Sequence, residues 1–146
     1  MGRNKRIGVY VNMLNFKLIK LLSANLKEKG VNLTSEQFIV MDILWRNGKM
    51  PQSSIAAQMH KDKNSITQFI DSLERKKLVR RCERPTDHRI NDIEVTAQGE
   101  ALHKTTIEVA TETMQSIFNG LSDDELDTFE RLLQVVNANI DEINSR

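Results

Sequence analysis

Apolar residues recur every three or four positions through most of this chain, and helix punctuation separates the stretches. Over 7–29, Tyr10, Leu14, Leu18, Leu21, Leu22 and Leu26 share a face, and Lys29-Gly30 supplies a cation and then a glycine suited to a left-handed stop. "LTSEQFIVMDILWRNGK" opens on a capping box, Thr34 with Gln37, and ends on Asn47-Gly48. Phe38, Met41 and Trp45 share one face there, broadened by Ile39, Ile43 and Leu44, which predicts a central, buried helix. "PQSSIAAQMH" places Pro51 in a first turn, with Ile55, Ala56 and Met59 inward. After the link His60-Lys61, Asp62 is the N-cap expected for the next helix.

That next segment, "KNSITQFIDSLERKK", carries the most specific signal. Ile66, Phe69, Ile70 and Leu73 form its apolar stripe, which leaves Asn64, Gln68, Asp71 and Arg75 opposite and Ser65 and Thr67 on the flanks. Asn and Gln pair bidentately with adenine in the major groove, and Arg does the same with guanine. Asn, Ser and Thr are otherwise poor helix builders. Two short helices with a tight link, the second presenting amides and hydroxyls, match a helix-turn-helix. The bland alternative is an ordinary solvated face.

"LVRRCER" and "INDIEV" then predict two strands, the second alternating cleanly, joined by a loop at 85–90. The unit is a basic wing. Its loop lacks the usual Asn-Gly or Asp-Gly turn and instead holds Asp87 and Arg89 two residues apart. Pro85 restricts the loop, and Asp87 can bond its own loop amides or the Arg84 guanidinium; the bland alternative is a surface salt bridge between Asp87 and Arg89, worth roughly 0–1 kcal/mol. Thr96 caps a long helix expected over 97–119, carrying Leu102, Val109 or Ala110, Met114, Ile117 and Phe118. A second capping box, Ser122 with Glu125, opens a last helix whose stripe is Leu126, Phe129, Leu133, Val136, Ile140 and Ile143. The fold class is therefore mainly α with a small β-hairpin: a winged helix-turn-helix over 33–96 within a single 1–146 domain. The stripes of 7–29 and 97–144 exceed what such a core can cover, and a helical dimer seam is the expected place to bury them.

Charge sharpens this picture. Net charge is +1, but residues 1–59 hold 9 Lys+Arg against 3 Asp+Glu, residues 60–91 hold 9 against 5, and residues 92–146 hold 3 against 12. A basic front half points to a polyanionic partner. No uninterrupted apolar run approaches the roughly 18 residues of a membrane span. Asn12, Asn15, Lys17 and Lys20 break any signal-peptide core, so no membrane partner and a cytoplasmic location are expected. Arg6 occupies the position where a myristoylation pattern needs Ser or Thr. The lone Cys82 provides neither a disulfide nor a CxxC site and is expected to be a partly buried thiol. His60, His88 and His103 share no ligand spacing, so no metal or other cofactor is expected. No glycine-rich phosphate loop or nucleophile–base pattern supports an enzyme.

In "LTSEQF", in "SSIAAQM" followed by "DKNSITQFIDSLERKKLV", and in "RPTDHRINDIEVTAQGEAL", the chain resembles the MarR family of bacterial winged-helix transcription factors, over about Leu33 to Leu102. The family's wing signature, D-x-R followed by an "LT-x-x-G" helix start, reads here as Asp87-His88-Arg89 and "VTAQGE". Three positions depart from it. His88 replaces a usual Arg, Lys77 stands where Gly generally precedes the "LV" strand, and Gln68 occupies a position that is often Arg. The resemblance implies a homodimeric repressor on double-stranded DNA with a pseudo-palindromic operator, half-sites about 10 bp apart. It also implies release by a small phenolic or aromatic effector. Lys63, Asn64, Ser65, Thr67, Gln68, Arg75, Arg84 and Arg89 are the expected DNA contacts, Arg89 in the minor groove, with Asp87 as the wing's brace. The competing reading is a winged-helix interaction module that does not bind DNA.

Overall fold

A computed structural model describes residues 2–146. Helix α1 (Arg3–Glu28) precedes α2 (Ser35–Asn47). A short strand β1 (Met50–Pro51), α3 (Gln52–Met59) and α4 (Lys63–Arg75) follow. The hairpin β2 (Val79–Arg84) and β3 (Asp87–Val95) leads to α5 (Ala97–Ala101), α6 (His103–Ile117) and α7 (Asp123–Asn144). The chain divides into two compact units between Thr111 and Glu112, inside α6.

The caps anticipated from sequence are in place. The Thr34 hydroxyl accepts from Gln37 N–H at 3.1 Å while Gln37 Oε1 accepts from Thr34 N–H at 3.1 Å. Ser122 and Glu125 repeat the arrangement at α7. Asp62 caps α4 through Ser65 N–H, and Thr96 caps α5 through Gly99 N–H. Gly30 closes α1 with φ 78°. The core of the first unit gathers Leu22 and Leu26 of α1, Val40, Met41, Ile43 and Leu44 of α2, Ile55 of α3, and Ile66, Ile70 and Leu73 of α4. Ile93, Leu78 and Val79 close it from the hairpin side. Helix α2 is central as expected, although its outer edge at Ile39 is exposed.

Four expectations are corrected. Pro51 does not begin a helical turn. It pairs with Asp92 in β1, at the edge of a sheet ordered β1-β3-β2, and caps α3 from outside. A proline tolerates an edge because it has no N–H to offer the ladder. The wing has no loop over 85–90: β3 begins at Asp87, and only Pro85-Thr86 turn. The ladder steps from Glu83↔Asn91 to Arg84↔Asp87, so residues 88–90 bulge out of it. The helix expected over 97–119 is two, broken at Leu102, whose N–H closes a tight turn onto Gly99 O at 3.2 Å. Gly99 backs onto the hairpin so closely that a Cβ there would lie 2.3 Å from the Leu78 carbonyl oxygen.

The fourth concerns α1, which starts at Arg3 and, by length and composition, is apolar enough to cross a membrane. Counting uninterrupted apolar runs missed this, because Asn12, Asn15, Lys17 and Lys20 punctuate a helix that is apolar on average. A helix that packs against another helix passes the same test, and a lysine at a bilayer centre costs about 2.5–3.5 kcal/mol. Ile7, Tyr10, Val11, Met13, Leu14 and Phe16 of α1 are exposed. In the second unit Phe118 and Phe129 lie 6.1 Å apart, ring to ring, and α7 buries no residue. Leu132, Leu133, Val136, Ile140 and Ile143 line its exposed stripe.

Candidate nucleic-acid interface

Helix α4 is built to hold one face against the core and the other in solvent. Ile66, Ile70 and Leu73 are fully buried, while Lys63, Asn64, Gln68 and Arg75 are exposed. Lys63, Asn64, Ser65, Thr67 and Gln68 cluster on the first two turns. Arg75 stands eleven residues beyond Asn64, roughly 16 Å along the axis. The Asp62 carboxylate caps this end, and the Ser65 N–H it accepts holds its pKa below the ordinary value.

Two members of the face are already engaged. Asp71 would set a negative charge beside an approaching polyanion, but Arg81 of β2 covers it, Nη2 to Oδ1 at 2.6 Å. The same guanidinium donates to Glu74 Oε1 at 2.7 Å, and Arg81 N–H donates to Glu74 Oε2 at 3.2 Å. Arg81, whose adjacency to Arg80 spoils the strand's alternation, therefore fastens the wing to α4. The Thr67 hydroxyl donates to Lys63 O at 2.9 Å and accepts from Gln52 Nε2 at 2.8 Å.

A second fastening lies at the far end of α4. Gln37 Nε2 donates to Ser72 Oγ at 2.8 Å, and Lys76 Nζ donates to Gln37 Oε1 at 2.7 Å and to Asn32 O at 2.9 Å. Partial burial pushes the Lys76 pKa down. Sequence reading took Gln37 only as half of a capping box. Its reach to residues 35 and 39 positions away had no local signal.

On the wing, Asp87 accepts from Arg89 three times: from the backbone N–H at 3.0 Å, from Nε at 3.0 Å and from Nη2 at 3.1 Å. These bonds hold the Asp87 pKa down. Of the two partners expected for Asp87, the loop amide is present, as the Arg89 N–H, and the Arg84 guanidinium is not hydrogen-bonded to it. Arg84 grips Asp92 instead, at 2.8 and 3.3 Å, which lowers the Asp92 pKa. Arg80 pairs with Glu94, and the Cys82 thiol lies 3.4 Å from the same carboxylate. Arg89 is the wing arginine most open to solvent, its side chain 90% exposed. His88 sits 3.1 Å from Glu83. Lys77, where the resembling family generally has Gly, takes a left-handed φ of 64°.

A sequence model of the MarR family matches residues 33–90. The uncharacterized HTH-type transcriptional regulator YsmB of Bacillus subtilis is 26% identical over 123 residues, spanning 80% of this chain and 84% of the relative. The crystal structure of a MarR mutant from E. coli complexed with operator DNA superposes with a TM-score of 0.82 at 25% identity, covering 90% of this chain and 93% of that one. Bordetella bronchiseptica BpsR, whose DNA binding is regulated by 6-hydroxynicotinic acid, shares the fold with a TM-score of 0.83 at 21% identity, over 94% and 96% of the two chains. Matched segment, relatives and winged-helix architecture agree in likening the chain to the MarR family of transcriptional regulators.

Proposed function

We propose that this regulator is a repressor that binds a pseudo-palindromic operator in double-stranded DNA as a homodimer. The observation that carries the proposal is the outer face of α4. Exposed Asn64, Gln68 and Lys63 stand on its first turns, and the one acid of that face is neutralised by Arg81. Asn64 and Gln68 read base edges in the major groove, Lys63 and Ser65 meet flanking phosphates, and Arg89 enters the adjoining minor groove. Arg75 and Arg84 contribute to the same surface, Arg84 with its charge partly spent on Asp92. The exposed stripes of α1 and α7 are covered by the second protomer. An aromatic acid or phenol is the effector class, by analogy with the regulation stated for BpsR.

One observation favours the competing module without DNA binding: Arg80, Arg81, Arg84 and Arg89 all face carboxylates, so the wing's field is weaker than its arginine count. Selecting bound duplexes from a random pool at low salt separates the two. Recovery of an inverted repeat with half-sites about 10 bp apart is expected. Gln68→Ala should then lose about 1–3 kcal/mol of binding and relax the preference at one base pair per half-site. No enrichment from the pool would leave the interaction module standing.

A further inference from the structure

Gln52 is the first residue of α3, and its side chain does not serve that helix. It crosses to α4, where Nε2 donates to the Thr67 hydroxyl at 2.8 Å. Thr67 in turn spends its proton on the Lys63 carbonyl, one turn back. That hydroxyl therefore has no hydrogen left for a phosphate oxygen, and its place as a direct DNA contact is vacated. The bond has a second effect. A carboxamide has two N–H groups in one plane, and fixing one fixes the direction of the other. Thr67 lies about 60° round α4 from Asn64, at the border between the solvent face and the side turned to α3. Gln52 is thus held at the rim of the outward face, half-exposed, with one N–H and one carbonyl oxygen uncommitted to Thr67.

We infer that Gln52 is a DNA-backbone contact of this protein, its amide donating to a phosphate at the rim of the major groove, and that Thr67 is the positioning residue that aims it. The inference rests on the DNA-binding reading above. In helix-turn-helix docking the first helix crosses the backbone while the second enters the groove, and neutral amides are common phosphate donors there. A pre-aimed amide gives up little side-chain freedom on binding, which is what the Thr67 bond supplies.

The test is a double-mutant cycle on the duplex that the wild-type protein selects. Gln52→Ala and Thr67→Val should each weaken binding by roughly tenfold, and the double variant should be no weaker than Gln52→Ala alone. A neutral donor releases no counterion, so the salt dependence of Gln52→Ala should run parallel to wild type. Gln52→Glu, which keeps the shape and turns the donor into a charge, should bind worse than Gln52→Ala and worst at low salt. Binding of Gln52→Glu at wild-type strength, or fully additive losses in the cycle, would overturn the inference while leaving DNA binding itself intact. Failure of the wild-type protein to select any duplex would instead overturn the DNA-binding reading and this inference with it.

Discussion

Lys77 shows what a single residue can carry. Its φ of 64° is a conformation that side chains with a Cβ adopt at a cost, yet its backbone is committed on both sides. Lys77 N–H donates to Glu74 O at 2.9 Å and its carbonyl accepts from the Thr96 hydroxyl at 2.7 Å. Lys77→Gly should therefore stabilise the fold by about 1 kcal/mol, read as a higher denaturation midpoint with an unchanged slope. A lower midpoint would mean that the lysine side chain offsets its strain. At the wing, the carboxylate bonds of Asp87 to both the amide and the guanidinium of Arg89 make bracing and simple charge pairing the same contact, so only variants separate them. Arg89→Ala should weaken DNA binding and reduce the salt slope by about one ion per subunit. Asp87→Ala should weaken it too, although it removes a negative charge; tighter binding would show that Asp87 only competes with DNA for Arg89.

Among the elements, α4 is tied to its neighbours at three places: by the Arg81 fork, by the Gln37–Ser72–Lys76 cluster and by the Gln52–Thr67 bond. The Arg81 bonds join half-exposed groups, and such pairs contribute about 0–1 kcal/mol to stability. Their value lies in alignment and in masking Asp71. Arg81→Met should thus leave the melting temperature within a few degrees of wild type yet lose most of the DNA affinity. A variant that melts early and binds normally would reverse that ranking. What was legible in the sequence at this scale was local. Thr34–Gln37, Asp62, Thr96 and Ser122–Glu125 declare helix starts because capping needs only residues three apart. The two residues of β1 depend on partners far along the chain, Ile93 and Asp92, and the close approach of Gly99 to the Leu78 carbonyl likewise has no local signal. For the same reason the α4 face was visible from its 100° spacing, whereas Gln52, Arg81 and the second role of Gln37 were not.

For the molecule as a whole, the exposed apolar stripes dominate. Phe16 of α1 is 71% exposed and Ile143 of α7 60%, each among neighbours of the same kind. Soluble monomers rarely leave such contiguous surface to water. Light scattering at micromolar concentration should therefore give a dimer of the 16.8 kDa chain, and truncation of α7 should shift it towards aggregation. A stable species near one chain mass would sink the dimer. If the second protomer covers both stripes as proposed, it cannot leave its mate without wetting two helices at once, and the free subunit would be a high-energy species. Separately tagged pools of the protein, once folded, will then keep their original pairings when mixed. In a cell holding several related regulators, each chain's choice of mate would then be made when it is synthesised and folds, rather than by later shuffling.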